Sequence, residues 1–206
     1  MSKTKLKRFC DVRSGWQGRR VVDYSNDGHP ILCSHNVVAG AITPIGEIKN
    51  IDPDDYPSIH ERHWAKDGDI AILRSCGYQA KRHPAVCIPD SPGMVVPHNY
   101  HILTFDKSVV NPLFMAVYFN SHVFQRWSSA YAHGTVMLVL SVNDLKNHEV
   151  RIPDINDQDK IAELFSNIAK LKELNRKKEE KFNEILDAFV YEKMVKEPAD
   201  ERQPVA

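Results

Sequence analysis

The chain has 206 residues, and its 27 basic and 27 acidic side chains give a formal net charge of zero. This length suffices for one domain plus an appendage, but not for two full domains. The balance of 42% hydrophobic and 26% charged residues excludes a wholly disordered chain, and no apolar run approaches the roughly 20 residues that a membrane helix needs. The four cysteines are scattered without a Cys-x-x-Cys pair, which indicates reduced thiols in a cytoplasmic protein rather than a disulfide framework or a zinc site.

The zero net charge hides an uneven distribution. Residues 1–153 carry 17 basic and 14 acidic side chains together with all ten histidines, whereas the remainder carries 10 basic and 13 acidic ones. The basic residues of the first part include two stretches. Residues 1–22 hold seven basic side chains against Asp11 alone: Lys3, Lys5, Lys7, Arg8, Arg13, Arg19 and Arg20. Arg74, Lys81 and Arg82 with His83 form the second stretch in mid-chain. Local basic patches favour contact with nucleic acid, and they fit an ordinary solvated surface equally well.

A change of composition divides the chain near Pro153. All nine glycines and ten of the twelve prolines lie at or before this residue, and no proline follows it until Pro198. We therefore expect a loop-rich domain over residues 1–153, a long helix over residues 154–195 and a flexible tail over residues 196–206.

The first part of the chain predicts an α+β domain with a small mixed sheet and short helices. Runs rich in Val, Ile and Leu and bounded by turn residues are the strand candidates, at residues 69–75, 85–89, 101–105, 135–140 and 149–153. Asn111 followed by Pro112 is typical of a helix start, and this helix is expected to continue to about Ser129. Full-length strands and helices do not alternate, which argues against a doubly wound nucleotide-binding sheet.

The residues after Pro153 predict one long helix, capped by Asn156 and running from Asp157 to about Val195. Side chains spaced three and four apart form a seam: Ile161, Leu164, Ile168, Leu171, Asn175, Lys178, Phe182, Ile185 and Phe189. A single helix cannot bury such a seam, so we expect a partner helix whose register Asn175 helps to fix. The alternative is that the seam packs on the chain's own domain, which a helix of this length would overhang.

A search for catalytic motifs gives no convincing site. The chain has no Gly-rich phosphate loop and no Gly-x-Gly-x-x-Gly motif. Residues 111–114 resemble the Asn-Pro-Pro-Phe/Tyr loop of amino-methyltransferases, but Leu113 replaces the second proline. His60 and His63 are three residues apart, not four as in the metalloprotease helix, and residues 47–49 lack the preceding Pro-Asp of a nuclease site. No cofactor or metal is therefore expected.

Several short motifs occur in the order found in type I restriction–modification specificity subunits. They lie at residues 27–32, 34–42, 66–74, 112–128, 133–135, 140–145, 152–153 and 158–162. Residues 66–74, for example, resemble the family's Gly-Asp-Ile-Leu-Ile strand, and Gly134-Thr135 resembles its Gly-Ser/Thr pair. The chain departs from the family pattern at residues 153–158, where Pro-Asp-Ile-Asn-Asp-Gln replaces Pro-Pro-x-x-Glu-Gln. Full-length members carry two recognition domains and two long helices, so the chain resembles one half of such a subunit.

This resemblance implies a non-catalytic subunit whose recognition domain reads a few base pairs of double-stranded DNA. It also implies that the helix spaces the domain from a second one and docks an adenine methyltransferase subunit, with a restriction subunit as a further partner. For this half-length chain we expect a homodimer through the C-terminal helix.

The usual chemistry of base and phosphate recognition directs attention to Arg, Lys, Asn, Gln and hydroxyl side chains in loops. The candidate DNA contacts are Arg74, Tyr78, Gln79, Lys81, Arg82, His133, Thr135, Arg19, Arg20 and Asn36. Two other classes of function remain open on the sequence: a compact nuclease or methyltransferase fragment, and a protein-only coiled-coil adaptor that never touches DNA.

Overall fold

A computed structural model describes residues 3–18, 24–38, 41–52, 54, 59–77, 82–88 and 93–195 of the chain. The chain divides into two compact units, Met1–Ser166 and Asn167–Ala206. The first unit combines small β-sheets with short helices, which confirms the predicted α+β class. No helix in the described part of the chain is both long and apolar enough to cross a membrane.

The strands in chain order are β1 (Thr4–Lys5), β2 (Cys10–Ser14), β3 (Tyr24–Ser25), β4 (His29–Ile31), β5 (Lys49–Ile51), β6 (Trp64–Ala65), β7 (Ile70–Leu73), β8 (Ser75–Gly77), β9 (Ala85–Cys87), β10 (Met94–Val95), β11 (Tyr100–Phe105), β12 (Met137–Val139) and β13 (Glu149–Val150). The helices are α1 (Pro112–Asn120), α2 (His122–Tyr131), α3 (Val142–Asn147) and α4 (Ile155–Val190), and a π-helical turn, Tyr191–Val195, follows α4. Each predicted run contains a strand. β1 to β6, β8 and β10 were not predicted, because most of them span only two or three residues and give no readable alternation.

The central sheet is antiparallel, with the strand order β2-β11-β7-β9. Ile70, Ala71 and Ile72 of β7 are all buried, so both faces of this strand are covered. Helix α1 packs against β9, and α3 packs against β2. The continuous apolar run of β7 is the pattern expected of such a doubly covered strand.

A second, mixed sheet has the order β3-β5-β4-β10-β6, in which β10 runs parallel to β4 and antiparallel to β6. Trp16 packs into its core with Ile31 and Val95, and the amide of Trp16 donates to the carbonyl oxygen of Val96 at 2.7 Å. Gly15 lies so close to the main chain of Pro97 that a Cβ would overlap the carbonyl oxygen, so only glycine fits here.

The segment predicted as one helix after Pro112 is two helices. Asn111 caps α1 as predicted, because its Oδ1 accepts hydrogen bonds from the amides of Leu113 (2.9 Å) and Phe114 (3.3 Å). Helix α1 ends at Asn120, and Ser121, whose backbone is extended, starts α2 as its N-cap. The apolar side chains continue across this break, which is why the sequence pattern did not reveal it.

Helix α4 begins at Ile155, two residues before the predicted start. Asp154 provides the cap by accepting from the amide of Asp157 at 3.1 Å, so the prediction of Asn156 as the cap was wrong. Asn156 lies inside the first turn instead.

The first turns of α4 belong to the compact unit that ends at Ser166. Gln158 is fully buried, and its Oε1 accepts from the amide of Asn111 at 2.9 Å. Its Nε2 donates to the carbonyl oxygens of Val109 (3.2 Å) and Pro153 (2.9 Å). These bonds, together with the buried side chain of Ala162, extend the unit past the domain boundary predicted at Pro153.

Candidate nucleic-acid interface

β8 pairs with β12, so the strands that border two of the predicted DNA-contacting segments lie side by side. The strands run antiparallel, with Gly77 opposite Met137 and Cys76 opposite Leu138. Cys76 and Leu138 are buried, whereas Gly77 and Met137 are exposed. Gly77, which ends β8, and Met137, which begins β12 after the 133–136 loop, therefore lie at the same end of the β8–β12 strand pair.

The 133–136 loop is short and closed at its base. The amide of His133 donates to the carbonyl oxygen of Val139 at 3.0 Å, and the amide of Val139 donates back at 2.8 Å. Within the loop, Gly134 has a φ of 127°, a conformation that side chains disfavour. Thr135 is exposed, as are the side chains of His133 (76%) and Val136 (77%), so the loop presents its tip to solvent.

The other loop returns to the core at His83, directly after the exposed Arg82. His83 is fully buried, with its Nδ1 2.8 Å from the carbonyl oxygen of Leu73 and its Nε2 3.6 Å from the sulfur of Cys76. Gln125 of α2 holds the main chain here, since its Oε1 accepts from the amide of His83 (2.8 Å) and its Nε2 donates to the carbonyl oxygen (3.0 Å). Burial lowers the pKa of His83, so the prediction that it extends a basic patch was wrong.

The main chain of Arg74 connects the β8–β12 strand pair with a neighbouring turn. Its amide donates to the carbonyl oxygen of Asn99 at 2.7 Å, and its own carbonyl oxygen accepts from the amide of Leu140 at 2.9 Å. The Arg74 side chain is half-buried. Arg74 therefore lies between the end of β12 and the turn that precedes β11.

Among the other predicted contacts, Asn36 is in a position that rules out DNA contact. It is fully buried, and its Oδ1 accepts from the amide of Cys33 at 3.0 Å. Its Nδ2 donates to the carbonyl oxygens of Ile45 (2.8 Å) and Glu47 (2.9 Å). The amide that could have read adenine is thus used inside the fold, and we correct this assignment. The remaining predicted contacts lie outside the described residues: Arg19, Arg20, Tyr78, Gln79 and Lys81.

Sequence reasoning missed Gln125, which holds the main chain at His83. Gln125 gives no sequence signal, because a polar residue in an amphipathic helix is ordinarily assigned to the solvent face. In the part of the chain that the structure describes, no group of three His, Cys, Asp or Glu side chains could hold a metal ion.

The predicted seam lies along α4. The apolar seam residues Leu171 (60%), Phe182 (66%), Ile185 and Phe189 are exposed, as are Leu164, Ile168 and Asn175, while Ile161 is half-buried. On another face of the helix, Arg176 pairs with Glu173 (2.6 Å) and with Glu180. These ion pairs thus lie off the seam, which also includes Lys178 and whose apolar side chains are largely exposed.

Neither a family model nor a curated protein matches the sequence. Solved structures do match in fold. A chain from a structure of the assembling type I restriction–modification system matches with a TM-score of 0.60 and 15% identity, over 91% of this chain and 43% of that one. The type I restriction–modification S subunit from M. genitalium matches with a TM-score of 0.53 and 20% identity, over 93% of this chain and 48% of that one.

The type IIG restriction endonuclease BpuSI matches as well, with a TM-score of 0.55 and 11% identity, over 80% of this chain and 26% of that one. The fold of this chain is thus similar to that of chains from restriction and restriction–modification proteins. More narrowly, the fold is that of the type I specificity (S) subunits, as the sequence motifs predicted. The chain spans less than half the length of the type I chains that it matches.

Proposed function

We propose that this chain is a DNA-recognition module of a type I-like restriction–modification system, in which the loops next to the β8–β12 strand pair read bases. The pairing of Gly77 with Met137 carries this proposal, because it places the end of β8 beside the start of β12, the strand that follows the 133–136 loop. The fold shared with type I specificity subunits supports the same function.

The chemistry of the exposed side chains fits contact with a groove of DNA. Arg82 carries a guanidinium fork that can address the O6 and N7 atoms of guanine. The hydroxyl of Thr135 and the ring of His133 can donate to or accept from base edges. All three residues are exposed, so their side chains are accessible to DNA.

We propose that the module itself is non-catalytic and that its enzymatic partners are a methyltransferase subunit and a restriction subunit. The missing nucleotide and cofactor motifs support this role. DNA incubated with the purified chain, magnesium and a methyl donor should stay uncut and unmethylated. Turnover that follows the chain through purification would favour the enzyme class instead.

The seam of α4 is proposed to be covered by α4 of a second copy of the chain. Exposed Leu171, Phe182 and Ile185 would each gain about 1.5–3 kcal/mol on full burial. Antiparallel helices related by a two-fold axis would give a dimer with two identical recognition domains. Such a dimer would read an interrupted palindrome, with each domain recognising the same short sequence.

The test of the proposed function is selection from a pool of random duplexes, followed by binding of the selected sequence. Arg82→Ala and Thr135→Ala should each weaken binding by about 1–3 kcal/mol and relax selection at one base position. Arg151→Ala removes an exposed arginine of the same unit that lies outside β8, β12 and the 133–136 loop, and is the matched control. Failure of the chain to enrich any sequence, or equal effects of all three variants, would contradict the proposal.

A further inference from the structure

A cleft of about 300 Å³ opens beside the turn at Pro97, His98 and Asn99. Apolar side chains, among them Trp16 and Leu32, form part of its wall. The polar side chains that line it are Ser34, His35, Lys49, His98 and Asn99. No carboxylate is found among the described residues that line this cleft.

A lining without acidic residues is not a general feature of this surface. A second cleft of about 300 Å³ is lined by Asp144 and Glu149 as well as by Lys3. The first cleft therefore differs in electrostatic character, with Lys49 as its fixed positive charge. Its donor groups are those that hold phosphates in protein–DNA interfaces, namely an ammonium, an amide and a hydroxyl. The Lys49 ammonium has three N–H donors, so it can bind an anion in addition to contacts within the chain.

Main-chain hydrogen bonds of Arg74 connect the cleft with the end of β12. The carbonyl oxygen of Asn99, which lines the cleft, accepts from the amide of Arg74 at 2.7 Å. The carbonyl oxygen of Arg74 accepts in turn from the amide of Leu140, the residue that follows β12. Two residues, Arg74 and Leu140, therefore connect the cleft with β12, the strand that follows the 133–136 loop.

We propose that this cleft binds a phosphodiester of the DNA backbone next to the bases that the loops beside the β8–β12 strand pair read. Lys49 supplies the charge, and the side chains of Asn99 and Ser34 supply neutral donors. This inference rests on the proposed function, since it assigns the backbone contact of the same interface. A phosphate contact would fix the orientation of the module on DNA without contributing sequence information.

The first experiment measures DNA affinity of the full chain against salt concentration, for the selected duplex and for a random-sequence duplex. Lys49→Ala should weaken binding to both duplexes by the same factor, about 3- to 10-fold, and lower the slope of log K against log salt by about one. Lys66→Ala makes the same change of charge at an exposed lysine that does not line the cleft, and should leave the slope unchanged. Equal melting temperatures of the two variants establish that both are folded.

A second experiment replaces individual phosphates of the selected duplex by neutral methylphosphonates. The wild-type chain should lose affinity at one or two adjacent positions, and Lys49→Ala should be insensitive at those same positions. Identical sensitivity of the two proteins, or an unchanged salt slope in Lys49→Ala, would overturn the assignment while leaving DNA recognition intact. If inorganic phosphate protects wild type but not Lys49→Ala from thermal unfolding, and methylphosphonates act equally on both, the cleft takes free phosphate and the assignment to DNA is wrong. A wild-type chain that binds no DNA would instead refute the proposed function, and the cleft assignment with it.

Discussion

Gly134 lies against the carbonyl group of Met137, so close that a Cβ on Gly134 would overlap the carbonyl oxygen. Its φ of 127° is a second reason why other residues are disfavoured. The contact lies inside the loop that His133 and Val139 close with their mutual hydrogen bonds. The shape of the 133–136 loop therefore depends on the absence of a side chain at Gly134.

Gly134→Ala should distort this loop and reduce affinity for the selected DNA about tenfold, which corresponds to about 1.4 kcal/mol. The free energy of unfolding should fall by about 1–3 kcal/mol, the usual cost of a strained backbone. Gly77→Ala is the control, because an added Cβ there meets nothing within 4 Å and should leave binding unchanged. Wild-type affinity in Gly134→Ala would show that the loop does not contact DNA.

Gln158→Leu should lower the free energy of unfolding by about 1–3 kcal/mol, because it leaves the buried amide of Asn111 and two carbonyl groups without their partner. Urea denaturation gives the value. Asn167→Leu, at an exposed amide on the same helix, should change it by less than about 0.5 kcal/mol. For the same reason, a chain ending at Ser166 should be more stable than one ending at Pro153. Equal stability of the two shortened chains would contradict the role of Gln158.

The stability of the protein should fall as the pH falls from about 6.5 to about 4. Burial, with a smaller contribution from Lys3, lowers the pKa of His148 from 6.5 to about 4. Between these values the unfolded chain binds a proton at His148 that the folded chain does not, so acidification favours unfolding. Burial also lowers the pKa values of His83 and His101, which act in the same direction.

Unfolding free energies at several pH values test this expectation. His148→Gln should make the dependence on pH shallower, whatever its effect on stability at neutral pH. A slope that His148→Gln does not alter would show that other groups are responsible.

Sedimentation tests the proposed pairing of α4. The full chain should be a dimer at tens of micromolar, and Leu171→Glu combined with Ile185→Glu should make it monomeric, because charges would then lie in the apolar seam. Ala169→Glu combined with Asn183→Glu adds the same charge on another face of the helix and should preserve the dimer. A monomeric full chain, with or without DNA, would mean that the seam belongs to a different subunit.

Local patterns in the sequence predicted the elements that local physics determines. The apolar run of β7 and the cap at Asn111 need no knowledge of distant residues, and both were predicted. Pairing of β8 with β12 depends on residues about 60 positions apart, and only the order of the family motifs suggested that both loops belong to one site. Asn36 and His83 were misassigned because residue type does not report burial. The same amide or imidazole that could face DNA can equally satisfy carbonyl groups in the core.

The 133–136 loop has an exposed tip above buried residues, and this separation affects how the protein can evolve. Thr135 and Val136 are exposed, whereas Leu138, Leu140 and His83 beneath them are buried. Substitutions at the tip therefore remove little buried surface, and surface substitutions of this kind usually change stability by less than about 0.5 kcal/mol. A lineage carrying this scaffold can exchange Thr135 and Val136 while the fold remains as stable as before.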